Sequence, residues 1–118
     1  MSRIATTLSQ DGRHLIIHLE RELAFRDYRR MRAIRESLPP AVAGLSVDFS
    51  QTRYLDSGGL GIVLSLLRYA QIRGWPLRLI RCQGRVAEAL RLLETEGRFA
   101  GERHEAGMQF TATAGHRR

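Results

Sequence analysis

The chain contains one cysteine, no lysine and no apolar run long enough to cross a bilayer. A lone Cys82 excludes an intrachain disulfide framework and any multi-cysteine metal site, and without an activating constellation around it a buried structural thiol is expected. Spanning a bilayer takes roughly 20 consecutive apolar residues, and the N-terminus also lacks the apolar segment of a secretory signal. No direct membrane insertion is expected, and the expected address is the cytoplasm. There is no Walker loop, no Gly-x-Ser-x-Gly elbow and no paired metal-ligand motif. Those absences argue against an enzyme, so no catalytic residue, metal or cofactor is expected. Neither an internal repeat nor an interdomain linker is visible, and 118 residues suit one domain with a core of its own.

What is present is ordinary for a globular domain in bulk and distinctive in charge. Hydrophobic residues make up 43% and charged residues 26%, so a packed core is expected. All 19 basic residues are arginine, and against 12 acidic residues they leave a net charge of +7 (19 − 12), which favours acidic partners and anionic surfaces. The charge is spread along the chain. Only Arg26, Arg29 and Arg30 form a compact group, without interleaved aromatics or a recognition motif, so no specific nucleic-acid binding is expected.

Local patterns predict an α/β chain. Ile4 to Leu8 and His14 to Leu19 flank the turn signal Asp11-Gly12 and predict an N-terminal hairpin, with Leu15, Ile17 and Leu19 on one face and His14, Ile16 and His18 on the other. An amphipathic helix is expected from about Ala24 to Leu38, stopped by Pro39-Pro40. The apolar strand Leu45 to Phe49 leads to a helix from Ser57 to Arg73, which ends at Gly74 before a strand from Leu77 to Cys82. Strand, helix and strand in that order predict a parallel crossover. A third helix is expected over Gly84 to Glu94, then an edge strand near Arg103, with residues 107 to 118 as a flexible tail.

The informative stretch is Leu45 to Gly61, where Tyr54-Leu55-Asp56-Ser57-Gly58-Gly59-Leu60-Gly61 opens the second helix. Free backbone N–H groups and the helix dipole meet at such a start, so Ser57 sits where an anion is favourably held. Asp and Ser are also preferred N-cap residues, and the same pattern serves as a plain cap. Leu60, Val63, Leu64 and Leu67 suffice to bury the helix on a sheet, yet Ile62, Leu66 and Tyr69 form a second apolar stripe nearly opposite. The third helix, the C-terminal tail, a second copy of the chain in a homodimer, or another protein are the candidate covers. Three such side chains are worth about 5 kcal/mol before ordering costs.

Asp48-Phe49-Ser50, Tyr54 to Gly61, and Gly84-Arg85-Val86 before an apolar helix together resemble the STAS domain of anti-sigma factor antagonists and sulfate transporters, over roughly residues 3 to 99. The resemblance implies a mixed, mainly parallel sheet of four to five strands with an N-terminal hairpin and helices packed on it. In the antagonist branch a serine of the motif is phosphorylated by a partner that is both kinase and anti-sigma factor, and the unmodified form binds that partner. A phosphate at a helix start adds roughly −1.5 to −2 charges, which changes a docking surface without unfolding the domain. Alignment on Asp56 and Leu60 places Gly58 where that serine normally sits, so Ser57 is a phosphoacceptor only in a shifted geometry. The layout Asp56-Ser57-Gly58-Gly59-Leu60 also resembles the small STAS subunits of bacterial lipid-transport ABC complexes, which bind the ATPase subunit. The resemblance therefore implies a non-catalytic module with one of these two partners. Its expected contacts are Asp48, Ser50, Asp56, Ser57, Gly58, Gly59, Ile62, Leu66 and Tyr69.

Overall fold

The computed structural model describes residues 4–113. Along the chain follow β1 (Ala5–Leu8), β2 (His14–His18), β3 (Glu22–Leu23), α1 (Tyr28–Glu36), β4 (Gly44–Asp48), β5 (Tyr54–Leu55), α2 (Ser57–Arg73), β6 (Leu77–Cys82), α3 (Gly84–Thr95), β7 (Phe99–His104) and β8 (Gly107–Ala112). A turn of 3-10 helix, Phe25–Asp27, precedes α1.

The hairpin forms as its turn signal predicts: Gly12 adopts a φ of 74°, and the Asp11 carboxylate accepts a hydrogen bond from Arg13 N at 3.0 Å. Strands β2, β4 and β6 lie side by side in parallel, joined by crossovers through α1 and α2. Right-handed crossovers running the same way across a sheet set both helices on one face. That face is the core, where Leu15, Leu45 and Leu77 align across the three strands, with Ile17, Val47 and Leu79 in the next row. Val63, Leu67, Val86 and Leu90 pack above them in the same cluster.

The sheet is larger than the expected four to five strands. Its order is β1-β2-β4-β6-β8-β7, six strands, and β3 and β5 form a separate two-stranded parallel ladder. The first half of the expected flexible tail, Gly107–Ala112, is β8, which lies between β6 and β7 and carries the fully buried Phe110. Met108, Phe110 and Ala112 do alternate with Gln109 and Thr111, but three apolar positions beside the polar run Gly101 to Gly107 make too short a period to stand out as a strand. The rest of that tail, residues 114–118, lies outside the described residues. The expected helix over 24–38 also divides, because its first turn is 3-10 and the Asp27 carboxylate accepts from Ala24 N at 2.9 Å.

Candidate functional site

Asp56 is the N-cap of α2. Its backbone is extended, its carboxylate accepts from Gly59 N at 2.7 Å, and its carbonyl accepts from Leu60 N at 2.9 Å. Ser57, the first helical residue, is exposed. The cap and the presented hydroxyl thus coexist, because the carboxylate takes the third N–H of the helix and leaves the side chain of the next residue outside.

The two glycines that follow are explained by what lies on them. A Cβ on Gly58 would stand 2.6 Å from Phe25 Cβ, 2.7 Å from Phe25 N and 2.8 Å from Phe25 Cα. A Cβ on Gly59 would run into the carbonyl of Leu23 and stand 2.8 Å from Leu55 Cδ1. Real carbon contacts sit near 3.5–4.0 Å, so the segment from β3 into the 3-10 turn closes over the helix start only because both positions lack side chains. Gly58, expected to stand at the family's phosphoacceptor position, is a packing contact in this chain.

Closing that segment over α2 presents Phe25 to solvent beside Gly58, at 74% exposure. Tyr54, paired with Glu22 across the β3·β5 ladder, is 48% exposed. Tyr54 opens the sequence motif but was not among the expected contacts, and Phe25 lies outside the motif altogether. Phe25 could have been suspected as an aromatic on the polar side of the first helix, whereas its approach to Gly58 depends on a pairing of two-residue strands that leaves no sequence period.

The outer apolar stripe of α2 corrects the expected contact set. Ile62 and Leu66 are only 3% and 2% exposed, so neither is available to a partner. Tyr28, Met31 and Arg35 of α1 line the same small crevice as Ile62 and Leu66, and α1, rather than the third helix or the tail, covers the stripe. Tyr69 is half-buried, donates through its hydroxyl to Arg35 O at 3.3 Å, and lies about 18 Å along the helix from Ser57 at 1.5 Å per residue.

Asp48 is likewise internal, at 6% exposure. It ends β4 on the face opposite the core, where His18 Nδ1 lies 3.0 Å from Oδ2, Arg81 Nε donates to Oδ1 at 3.2 Å, and Ser50 N donates to Oδ1 at 2.9 Å. Arg81 reaches it because a β-bulge interrupts β6 between Leu79 and Cys82, with Arg81 at a φ of 56°. Burial alone would raise the Asp48 pKa, but the bonds from Arg81, Ser50 and His18 outweigh it and hold the carboxyl at about 2. Asp48 therefore ties three strands together, while Ser50, exposed in the following loop, stays accessible. His14 pairs with Ser46 at 2.7 Å on the same open face, and burial followed by the nearby Arg78 lowers its pKa. Burial, with a further contribution from Asp48, pushes the Cys82 thiol up to about 12, which suits the structural thiol expected of it.

Among the described residues no helix is long and apolar enough to cross a membrane, and no group of three or more His, Cys, Asp or Glu side chains is placed to hold a metal ion. The expected contacts thus divide. Asp56, Ser57, Gly58 and Gly59 meet at one helix start; Ile62, Leu66 and Asp48 are internal; Tyr69 is at the far end.

Solved structures that share the fold include the following three. The STAS domain of an anti-sigma factor antagonist from Rhodobacter sphaeroides is 20% identical with a TM-score of 0.57, covering 68% of this chain and 86% of that one. The anti-sigma factor antagonist SpoIIAA in its unphosphorylated form is 19% identical with a TM-score of 0.61, covering 76% of this chain and 83% of that one. The Bacillus cell fate determinant SpoIIAA in the phosphorylated form is 16% identical with a TM-score of 0.57, covering 80% and 84%. No curated protein matches the chain. The family model described as "Mlab, STAS domain" matches residues 6–100, a span running from the hairpin through the capped start of α2 to β7, and the chain belongs to that family of STAS domains.

Proposed function

We propose that the chain is a non-catalytic regulatory module that docks a cytoplasmic protein through the start of α2. Ser57 is its polar centre and Phe25 its apolar anchor, with Tyr54, Ser50 and the capped turn Asp56 to Gly59 around them. The observation that carries this reading is Phe25, a large aromatic held 74% exposed by the packing of its own backbone on Gly58. An exposed aromatic beside a rigid polar turn is the kind of residue from which interface hot spots are built. The leading partner is an anti-sigma factor of the serine-kinase type.

A second reading, an accessory subunit that binds the ATPase of an ABC-type lipid transporter, is favoured by Gly58. A site whose usual phosphoacceptor position is filled by a neighbouring backbone suits an adaptor with no phosphate switch. Candidate partners come from the gene neighbourhood, and binding is measured by calorimetry with Phe25→Ser and Ser57→Glu. Both variants keep wild-type stability and lose affinity if this surface docks; unchanged affinity in both sinks the proposal. Incubation with a kinase-type partner and ATP, followed by phosphopeptide mass spectrometry, separates the readings. Phosphate on Ser57 supports the switched antagonist, and its absence together with ATPase binding supports the adaptor.

A further inference from the structure

The far end of α2 carries a second surface, about 24 Å from Ser57 at 1.5 Å per residue along the helix. Here the last turns of α1 and α2 and the Trp75 segment enclose an open groove of about 800 Å³. Arg32, Arg35 and Arg73 line it against a single carboxylate, Glu36, and that carboxylate accepts from Arg32 Nε at 3.0 Å. Arg35 and Arg73 have no carboxylate partner among the described residues. Arg73 lies 3.8 Å from the centre of the Tyr69 ring and 5.7 Å from that of Trp75, and Arg35 lies 5.2 Å from that of Tyr69. Tyr69 and Trp75 themselves meet edge to face at 5.9 Å.

A guanidinium resting on a ring is positioned and partly desolvated without spending N–H donors on that ring; Arg35 also gives one Nη1 donor to Ser65 Oγ at 3.4 Å, and the remaining N–H groups of both arginines can take a carboxylate. Two such guanidiniums around one ring, with the paired Arg32 in the same lining, give the groove an unneutralised positive charge. Its concavity and its lining of Tyr, Trp and Arg suit a protein segment better than a flat lipid surface. We propose that this groove binds an acidic segment of a partner protein, with Arg35 and Arg73 clamping its carboxylates. The site is independent of the surface around Ser57.

Trp75 is the chain's one tryptophan, so its emission reports the groove directly. The probe is a short blocked peptide of alternating glutamate and glycine, with a glutamine counterpart as the neutral control. A saturable change in Trp75 emission is expected with the acidic peptide only, weakening as salt is added. The double variant Arg35→Gln/Arg73→Gln binds about tenfold more weakly, whereas Arg85→Gln/Arg103→Gln, which removes the same charge elsewhere, binds as the wild type. Thermal melts confirm that both variants remain folded, and Arg73→Lys, which keeps the charge without the fork, falls between. Equal loss in the two double variants would reduce the effect to overall charge and overturn the proposal. So would a response to anionic phospholipid vesicles without one to the peptide. Concentration-dependent dimerisation abolished by Arg35→Gln/Arg73→Gln would assign the groove to a second copy instead.

Discussion

The glycines at the start of α2 allow one substitution to be read with two opposite signs in the same helix. Gly→Ala inside a helix is worth up to about 1 kcal/mol from backbone entropy and propensity. At Gly61 an added Cβ meets nothing within 4 Å, so Gly61→Ala is expected to stabilise the protein by about 0.5–1 kcal/mol. At Gly58 the same methyl lands 2.6–2.8 Å from three atoms of Phe25, two of them backbone, roughly 1 Å inside a normal carbon contact. Overpacking of that kind costs about 1–3 kcal/mol, and so near the helix start the propensity gain is smaller than in the interior. Gly58→Ala is therefore expected to be about 1–2 kcal/mol less stable than the wild type. Gly59→Ala, which drives its methyl into the Leu23 carbonyl, should lose more. Urea unfolding followed by circular dichroism measures all three, with the slope expected to stay constant and only the midpoint to move. If Gly58→Ala raises the midpoint as Gly61→Ala does, the β3 segment yields freely. The steric account of why no serine stands at position 58 is then wrong.

Two further outcomes follow from the core and from the open face of the sheet. Leu66→Ala should destabilise the fold by about 2–5 kcal/mol, because the side chain is buried beneath α1 rather than offered to a partner; a change under about 0.5 kcal/mol would return it to the surface. The Asp48 carboxyl, at about 2 in the folded protein against 3.8 ordinarily, contributes stability that is fully present above pH 3.8 and is lost as pH falls through about 2. The separation of about 1.8 pH units (3.8 − 2) corresponds to about 2.5 kcal/mol at most, and the half-exposed Arg81 reduces this to about 1–2 kcal/mol. Unfolding curves at pH 5 and pH 2 should therefore show wild type losing that much more than Asp48→Asn, and parallel losses would refute the assignment.

Much of the fold was legible in local pattern. The Asp11-Gly12 turn, the alternation of Leu15, Ile17 and Leu19, the stop at Gly74 and the strand-helix-strand order around α2 each depend on neighbours within a few residues. The candidate site was half legible. Asp56 capping and Ser57 exposed follow from helix-start chemistry alone, and the motif pointed to them directly. Ile62 and Leu66 were misassigned because a second apolar stripe states only that something covers a helix. Periodicity has no means of choosing between α1 and another molecule.

The sequence by itself thus determined the parallel α/β order, the capped helix start, the structural role of Cys82 and the family. These depend on residue spacing and on chemistry that acts along the chain. Only the tertiary structure decided that α1 closes the outer stripe, that β8 enters the sheet, that Asp48 is locked by His18 and Arg81, and that Phe25 stands beside Ser57 because Gly58 admits its backbone. Each of these joins residues separated by tens of positions through contacts of a few ångströms. Such contacts are set by the packing of whole elements and leave no period in the chain.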